Sequence, residues 1–250
     1  MDSLTQQKDE LLYAAKVALG FSVAMVFIHV YSGITLLDKS RFSIYPRDIS
    51  QWYGIITGHF LHSSWSHLFS NLAPLLLTIF MVFFFYRSIG WAVFSLIMVL
   101  TEFAVFMFAR ESSHLGASGL VYGLISFLFF SGLFRRNPKS LVIMVIVTIL
   151  YGGYSAGLIP SDEKVSWESH LFGALSGLWT AFIFRHFRES DEEVEEPSWS
   201  GDSKEKTYYF QRDIFDKTLA QRKAEEEERI RKEQEDQARG FWDYPSDRTY

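Results

Sequence analysis

Apolar residues along this chain fall into long, nearly unbroken runs rather than alternating with polar ones. Six such runs occupy residues 17–37, 68–86, 91–109, 117–134, 141–159 and 167–184. About 20 residues at a rise of about 1.5 Å cross a hydrocarbon core of about 30 Å, so each run predicts a membrane-spanning helix. The first run is longer than the apolar part of a secretory signal and no small-residue cleavage site follows it, so it is expected to remain as an anchor. Most connections are short, which predicts a compact bundle of antiparallel neighbours. The exception is 38–66, where Pro46, Trp52, Tyr53, His59, His62 and Trp65 predict a loop lying partly in the membrane interface. Pro74 predicts a local kink in the second run.

Charge separates two materials. Residues 1–186 hold 12 Lys and Arg against 10 Asp and Glu, whereas 187–250 hold 12 against 19, so the net charge changes from +2 to −7 near Phe187. The expected organisation is a membrane domain at 1–186 and a charged tail at 187–250, cytoplasmic and in part helical or disordered. The stretch 213–239 has high helix propensity, but Ile214, Phe215, Leu219 and Ile230 do not sustain a heptad. A cytosolic partner of the tail is one use for it. The absence of cysteine removes disulfides, thiolate metal ligands and cysteine nucleophiles. Nothing basic and interleaved with aromatics suggests nucleic acid as a partner.

The short loop Arg135-Arg136-Asn137-Pro138-Lys139 weights one face of the membrane with positive charge, which places both termini in the cytoplasm. The expected setting is therefore a multi-pass protein of the plasma (inner) membrane. Runs two, four and six then begin on the outer side, and their opening residues include His67 and Asn71, Ser118, and His170. Polar groups at membrane depth are costly and face one another or water, so their convergence in one leaflet predicts a site. His67 and Asn71 lie four residues apart, one turn along one helix face. The spacings Gly119-xxx-Gly123 and Gly173-xxx-Gly177 predict close helix approach. Serine-hydrolase chemistry would employ every one of these groups. Ser118 attacks a carbonyl, His170 takes and returns its proton, and His67 with Asn71 donates to the oxyanion.

These motifs, in order, resemble those of rhomboid intramembrane serine proteases: His62 and His67-xxx-Asn71, then Gly116-Ala117-Ser118-Gly119-Leu120-Val121-Tyr122, then His170-Leu171-Phe172-Gly173-Ala174-Leu175-Ser176-Gly177. The resemblance covers about residues 57–184 and implies an all-α, six-transmembrane-helix bundle. It implies Ser118 as nucleophile and His170 as base in a dyad without an acid. The oxyanion would be held by His67, Asn71 and the Ser118 backbone N–H. Tyr122 would pack on the His170 ring, Gly116 and Gly119 would support the serine loop, and Gly173 and Gly177 would hold run six against run four. The implied activity is cleavage of transmembrane protein substrates near the extracytoplasmic surface, within the lipid bilayer and without cofactor or metal. Trp52 is followed by Tyr53 rather than by the arginine of many relatives.

Other polar residues have plainer readings. Glu168 is about 200° around the helix from His170 and suits the positive end of a helix dipole. Glu102, in mid-run, is expected to be a buried hydrogen-bonding group. His59, His62 and His67 lack the carboxylate or cysteine company of a zinc site. His29, His114 and His186 have no partner motif and are expected to be interfacial or structural. The rival functions are a non-catalytic rhomboid-like protein that binds membrane clients and a small transporter; no inverted repeat supports the latter.

Overall fold

The computed structural model describes residues 3–160, 166–189, 192 and 216–242, and the chain divides into two compact units, Met1–Val194 and Glu195–Tyr250. The first is an all-α membrane bundle: α1 (Ser3–Ile34), the short α2 (Gly54–Thr57), α3 (Trp65–Phe85), α4 (Gly90–Phe108), α5 (Ser118–Arg135), α6 (Pro138–Tyr151) and α7 (Trp167–Ile183). Among the described residues five segments are long and apolar enough to cross a membrane: Leu4–Ile34, Trp65–Phe85, Gly90–Phe108, Ser118–Arg135 and Pro138–Leu158, the last completed by a 3-10 segment, Gly152–Leu158. The run expected as a sixth span forms the 17-residue α7, whose opening turn holds polar Glu168, Ser169 and His170, and it is not among those five. It packs on α5 more extensively than any other pair of helices pack on each other.

α1 begins well before the apolar run that predicts it. Its buried residues, Ala14, Ala18, Ser22, Met25, His29 and Ser32, recur every three or four positions and form one stripe along the helix. Most are small, so α1 lies close against α3 while Leu19, Val23 and Phe27 face outward. At a rise of about 1.5 Å per residue, α1 exceeds the hydrocarbon thickness by several turns, which carries its amphipathic start out of the core.

Helix starts follow local chemistry. The Ser64 hydroxyl accepts the His67 N–H at 3.1 Å and caps α3, and the Asn137 side chain accepts the Ser140 N–H at 2.7 Å ahead of Pro138 in the first turn of α6. α3 continues through Pro74, where the Thr78 hydroxyl donates to the Pro74 carbonyl at 2.8 Å.

The bundle extends past the change in charge near Phe187 because acidic residues fold back onto it. The buried Glu189 carboxylate accepts from the Ser88 hydroxyl at 2.7 Å and from the Ser88 N–H, ahead of α4. Glu192 pairs with the buried Arg135, whose guanidinium also donates to the Phe187 carbonyl at 2.6 Å and lies over the Tyr86 ring.

In the second unit, α8 (Leu219–Trp242) opens on a reciprocal cap. The Thr218 N–H donates to Gln221 Oε1 at 2.8 Å while the Thr218 hydroxyl accepts the Gln221 N–H at 3.4 Å. Pairs one turn apart, such as Lys232 with Glu228 at 3.1 Å, line this exposed helix. Residues 213–215 of the expected tail helix and most of the acidic run 189–196 lie outside the described residues.

Candidate active site

The loop before α5 is built backbone-first. Gly116 has φ +116°, a conformation that costs glycine little, and a Cβ there would stand 2.8 Å from both Cε1 and Nε2 of His67. Its N–H donates to the Gly58 carbonyl at 2.9 Å, and the next N–H, of Ala117, points at Nε2 of buried His62 at 3.4 Å. Two residues upstream, Ile44 and His114 exchange backbone hydrogen bonds of 2.9 and 2.8 Å. The long first loop therefore fixes the loop 109–117, and that loop delivers Ser118 as the first residue of α5.

Ser118 and His170 line one cavity of about 590 Å³ with His67, Asn71 and Tyr122. Among the described residues no hydrogen bond joins Ser118 to His170, and such pairs commonly tighten only in the substrate complex. His170 is held on two sides. Its ring stacks on Tyr122 with centroids 4.2 Å apart and planes 11° apart, and its Nδ1 lies 2.9 Å from the Gly157 carbonyl oxygen. A carbonyl only accepts, so Nδ1 carries the proton and Nε2 keeps its lone pair. Tyr122 is itself anchored by donating its hydroxyl to the Tyr154 carbonyl at 2.9 Å.

His67 and Asn71 face the same cavity from the first two turns of α3. One Asn71 amide proton goes to the His67 carbonyl at 3.0 Å, which leaves the other for the cavity. His67 Nδ1 lies 3.1 Å from the Ser63 hydroxyl; with that hydroxyl donating, the ring proton sits on Nε2, on the ring edge that faces Gly116.

The α5–α7 contact sets the spacing of Ser118 and His170. A Cβ on Gly173 would overlap the Gly119 carbonyl oxygen, and one on Gly177 would overlap that of Gly123. A Cβ on Gly119 would in turn stand 2.8 Å from Thr101 and 3.1 Å from the Ser169 carbonyl. The Ser126 hydroxyl adds a hydrogen bond to the Ala174 carbonyl at 2.6 Å.

The remaining polar residues support these loops. Glu168, in the first turn of α7, pairs with Arg110 at 3.3 Å. His59 lies 3.3 Å from Glu102, joining the first loop to α4, and burial pushes its pKa down to about 4. Burial, then the neighbouring His67, pushes His62 down to about 3. Both imidazoles are thus neutral, which lets His62 Nε2 accept from Ala117. His114 is more than a solitary interfacial residue: its Nδ1 meets the Ser166 hydroxyl at 2.5 Å, its Nε2 meets the Arg110 carbonyl at 3.0 Å, and burial lowers its pKa. Ser166 continues to Ser169 at 2.7 Å, tying the loop before α5 to the start of α7. Among the described residues no cluster of three His, Asp or Glu side chains stands where it would hold a metal ion.

Sequence reasoning missed Gly157 and Tyr154, because each acts through a backbone carbonyl and no side-chain pattern marks that. It also missed the serines at the cavity rim, Ser63, Ser113 and Ser166, although their hydroxyls cluster in the loops on either side of the motifs.

Comparison with known proteins agrees with this architecture. Uncharacterised proteins of Mycobacterium tuberculosis and Mycobacterium bovis are each 31% identical over 181 residues, covering 66% of this chain and 75% of theirs. An uncharacterised protein of Mycobacterium leprae is 31% identical over 156 residues, covering 59% and 61%. Residues 49–187, from the first loop to just past the end of α7, match the Rhomboid domain, and the chain belongs to that family.

Proposed function

We propose that this protein is an intramembrane serine endopeptidase that cleaves transmembrane proteins near the membrane face where α5 and α7 begin. The observation that carries the reading is the cavity shared by Ser118 and His170, with the His170 ring held on Tyr122 and its Nδ1 proton given to Gly157. In this reading Nε2 takes the Ser118 proton as Oγ attacks the scissile carbonyl, and an acyl-enzyme forms when the same proton passes to the leaving amine. Water, activated by Nε2, then releases the second product. The oxyanion of each tetrahedral intermediate accepts from His67 Nε2, the free Asn71 amide proton and the Ser118 N–H, donors that need no rearrangement as charge develops.

A substrate helix hides its carbonyls in its own hydrogen bonds, so the scissile segment must unwind before it reaches Ser118. The serine hydroxyls around the cavity offer replacement partners to the freed backbone. The proposed orientation has the site in the outer leaflet and both termini in the cytoplasm, following the basic loop at 135–139.

The test is covalent labelling by a fluorophosphonate in detergent, which needs no known substrate. Wild type is expected to label, while Ser118→Ala and His170→Ala are not. Equal labelling of all three, or none from folded wild type, would favour a client-binding protein instead.

A further inference from the structure

A second cavity, of about 750 Å³, lies at the other end of the bundle, between the start of α1, the end of α3 and the start of α6. The 21 residues of α3 separate it from the His67 end by about 30 Å, one bilayer core. It therefore opens at the opposite membrane surface, where lipid headgroups lie.

Among the described residues its charges are Lys8, Arg87 and Lys139 against Glu10 and Glu189, one positive charge in excess. Both carboxylates already serve protein donors. Glu10 pairs with Arg87 and accepts from Gln6, and Glu189 accepts from Ser88. Lys139 lies 3.9 Å from Glu192 and over the Phe85 ring. The rest of the wall is Gln6 and Gln7 together with the apolar Leu4, Leu11, Phe84 and Phe85 beside the cations.

We propose that this cavity binds an anionic phospholipid. Its phosphodiester would lie among Lys8, Arg87 and Lys139, and its glycerol and upper acyl carbons would lie along Leu11 and Phe84. Three features select that ligand. A single phosphodiester charge balances the excess of one. A zwitterionic lipid would bring its own cation against the lysines. A free anion would have no use for the aromatic and aliphatic wall, whereas a lipid satisfies both surfaces at once. The inference does not depend on the catalytic reading, since nothing in this cavity belongs to the Ser118 site.

The full chain, purified in detergent, is titrated with phosphatidylglycerol and with phosphatidylcholine of the same acyl chains, and retained lipid is read by native mass spectrometry. Wild type is expected to hold phosphatidylglycerol at least about tenfold more tightly, and Lys8→Gln/Lys139→Gln to weaken it by up to roughly 30-fold while leaving phosphatidylcholine unchanged. Lys8→Arg/Lys139→Arg, which keeps the charge, and Lys223→Gln/Lys232→Gln, which removes the same charge from α8, should both behave as wild type. The proposal is overturned by equal retention of the two lipids by wild type, by unchanged retention in Lys8→Gln/Lys139→Gln, by an equal loss in the α8 variant, or by displacement of phosphatidylglycerol by millimolar inorganic phosphate.

Discussion

Gly173→Ala is the smallest change that tests whether the α5–α7 contact sets the chemistry. The added Cβ would stand 2.9 Å from the carbonyl carbon of Gly119 and 3.2 Å from its Cα, and would overlap the carbonyl oxygen. That neighbour is backbone, so no side chain can swing away; restoring ordinary contact means parting the helices by about 1 Å, at a stability cost of about 1–3 kcal/mol. Gly119 adjoins Ser118, and Gly173 lies one turn beyond His170 on α7, so nearly the whole displacement falls between the two reacting groups. A misplacement of that size costs about 100-fold in rate. The assay is the rate of fluorophosphonate labelling in detergent, with melting temperature measured on the same sample. Gly177→Ala strains the same interface, against Gly123, but lies two turns from His170, so it should lose similar stability and less labelling. Gly20→Ala, whose Cβ would meet nothing within 4 Å, should lower neither. Labelling of Gly173→Ala within threefold of wild type, or a loss no larger than that of Gly177→Ala, would refute the argument.

Three further outcomes follow from particular contacts. Tyr122→Phe keeps the ring over His170 and gives up the hydroxyl bond to Tyr154, so labelling should fall severalfold, about 1 kcal/mol, whereas Tyr122→Ala should nearly abolish it; equal effects would show that stacking is irrelevant. Arg135→Met leaves the buried Glu192 carboxylate only the more distant Lys139 and should cost up to about 3 kcal/mol, while Arg135→Met/Glu192→Met should recover most of that, read as melting temperature in detergent; a double variant no better than the single would contradict the pairing. Acid should destabilise the bundle through His59 and His62, whose folded pKa values of about 4 and about 3 lie below the ordinary 6.5. The unfolded chain takes up protons first, so from about pH 6.5 down towards pH 4 each of the two contributes a fall in stability of up to about 1.4 kcal/mol per pH unit, with His114 adding in the same direction. An acid-induced fall in melting temperature that His62→Gln leaves unchanged would show that His62 is not buried neutral.

Hydrophobic runs foretold where the helices lie because in a membrane length and apolarity alone decide a crossing. They did not foretell which face packs. The buried stripe of α1 is Ala14, Ala18, Ser22 and Met25 and its exposed face is Leu19, Val23 and Phe27, the reverse of the pattern in water, because lipid accepts large apolar side chains and close packing needs small ones. The start of α1 was hidden for a related reason: residues 3–16 form helix but are too polar to be read as a span. Ser118, His170, His67 and Asn71 were visible as polar residues at one depth, and the structure lines one cavity with them. Glu189 and Glu192 read as tail because carboxylates usually seek water, yet Ser88 and Arg135 draw them into the bundle from far along the chain.

Among the described residues no carboxylate is hydrogen-bonded to His170, and this has a physical explanation within the proposed mechanism. An acid in a soluble protease fixes the tautomer, fixes the ring and stabilises the imidazolium. Here the Gly157 carbonyl fixes the tautomer, and the Tyr122 ring, itself tethered to Tyr154, fixes the plane. Neither device carries a formal charge. A carboxylate at this depth would need its own partners against desolvation, as Glu168 has in Arg110. A carbonyl at the end of the 3-10 segment after α6 is already desolvated by the fold and costs little more to aim at an imidazole. What the arrangement gives up is charge stabilisation of the imidazolium, so the burden of the transition state shifts to the oxyanion donors. Replacing Asn71 by Ala should therefore cost at least the roughly 100-fold typical of losing one such donor, with His170 geometry untouched, and a labelling rate reduced less than about tenfold would mean that Asn71 does not face the oxyanion.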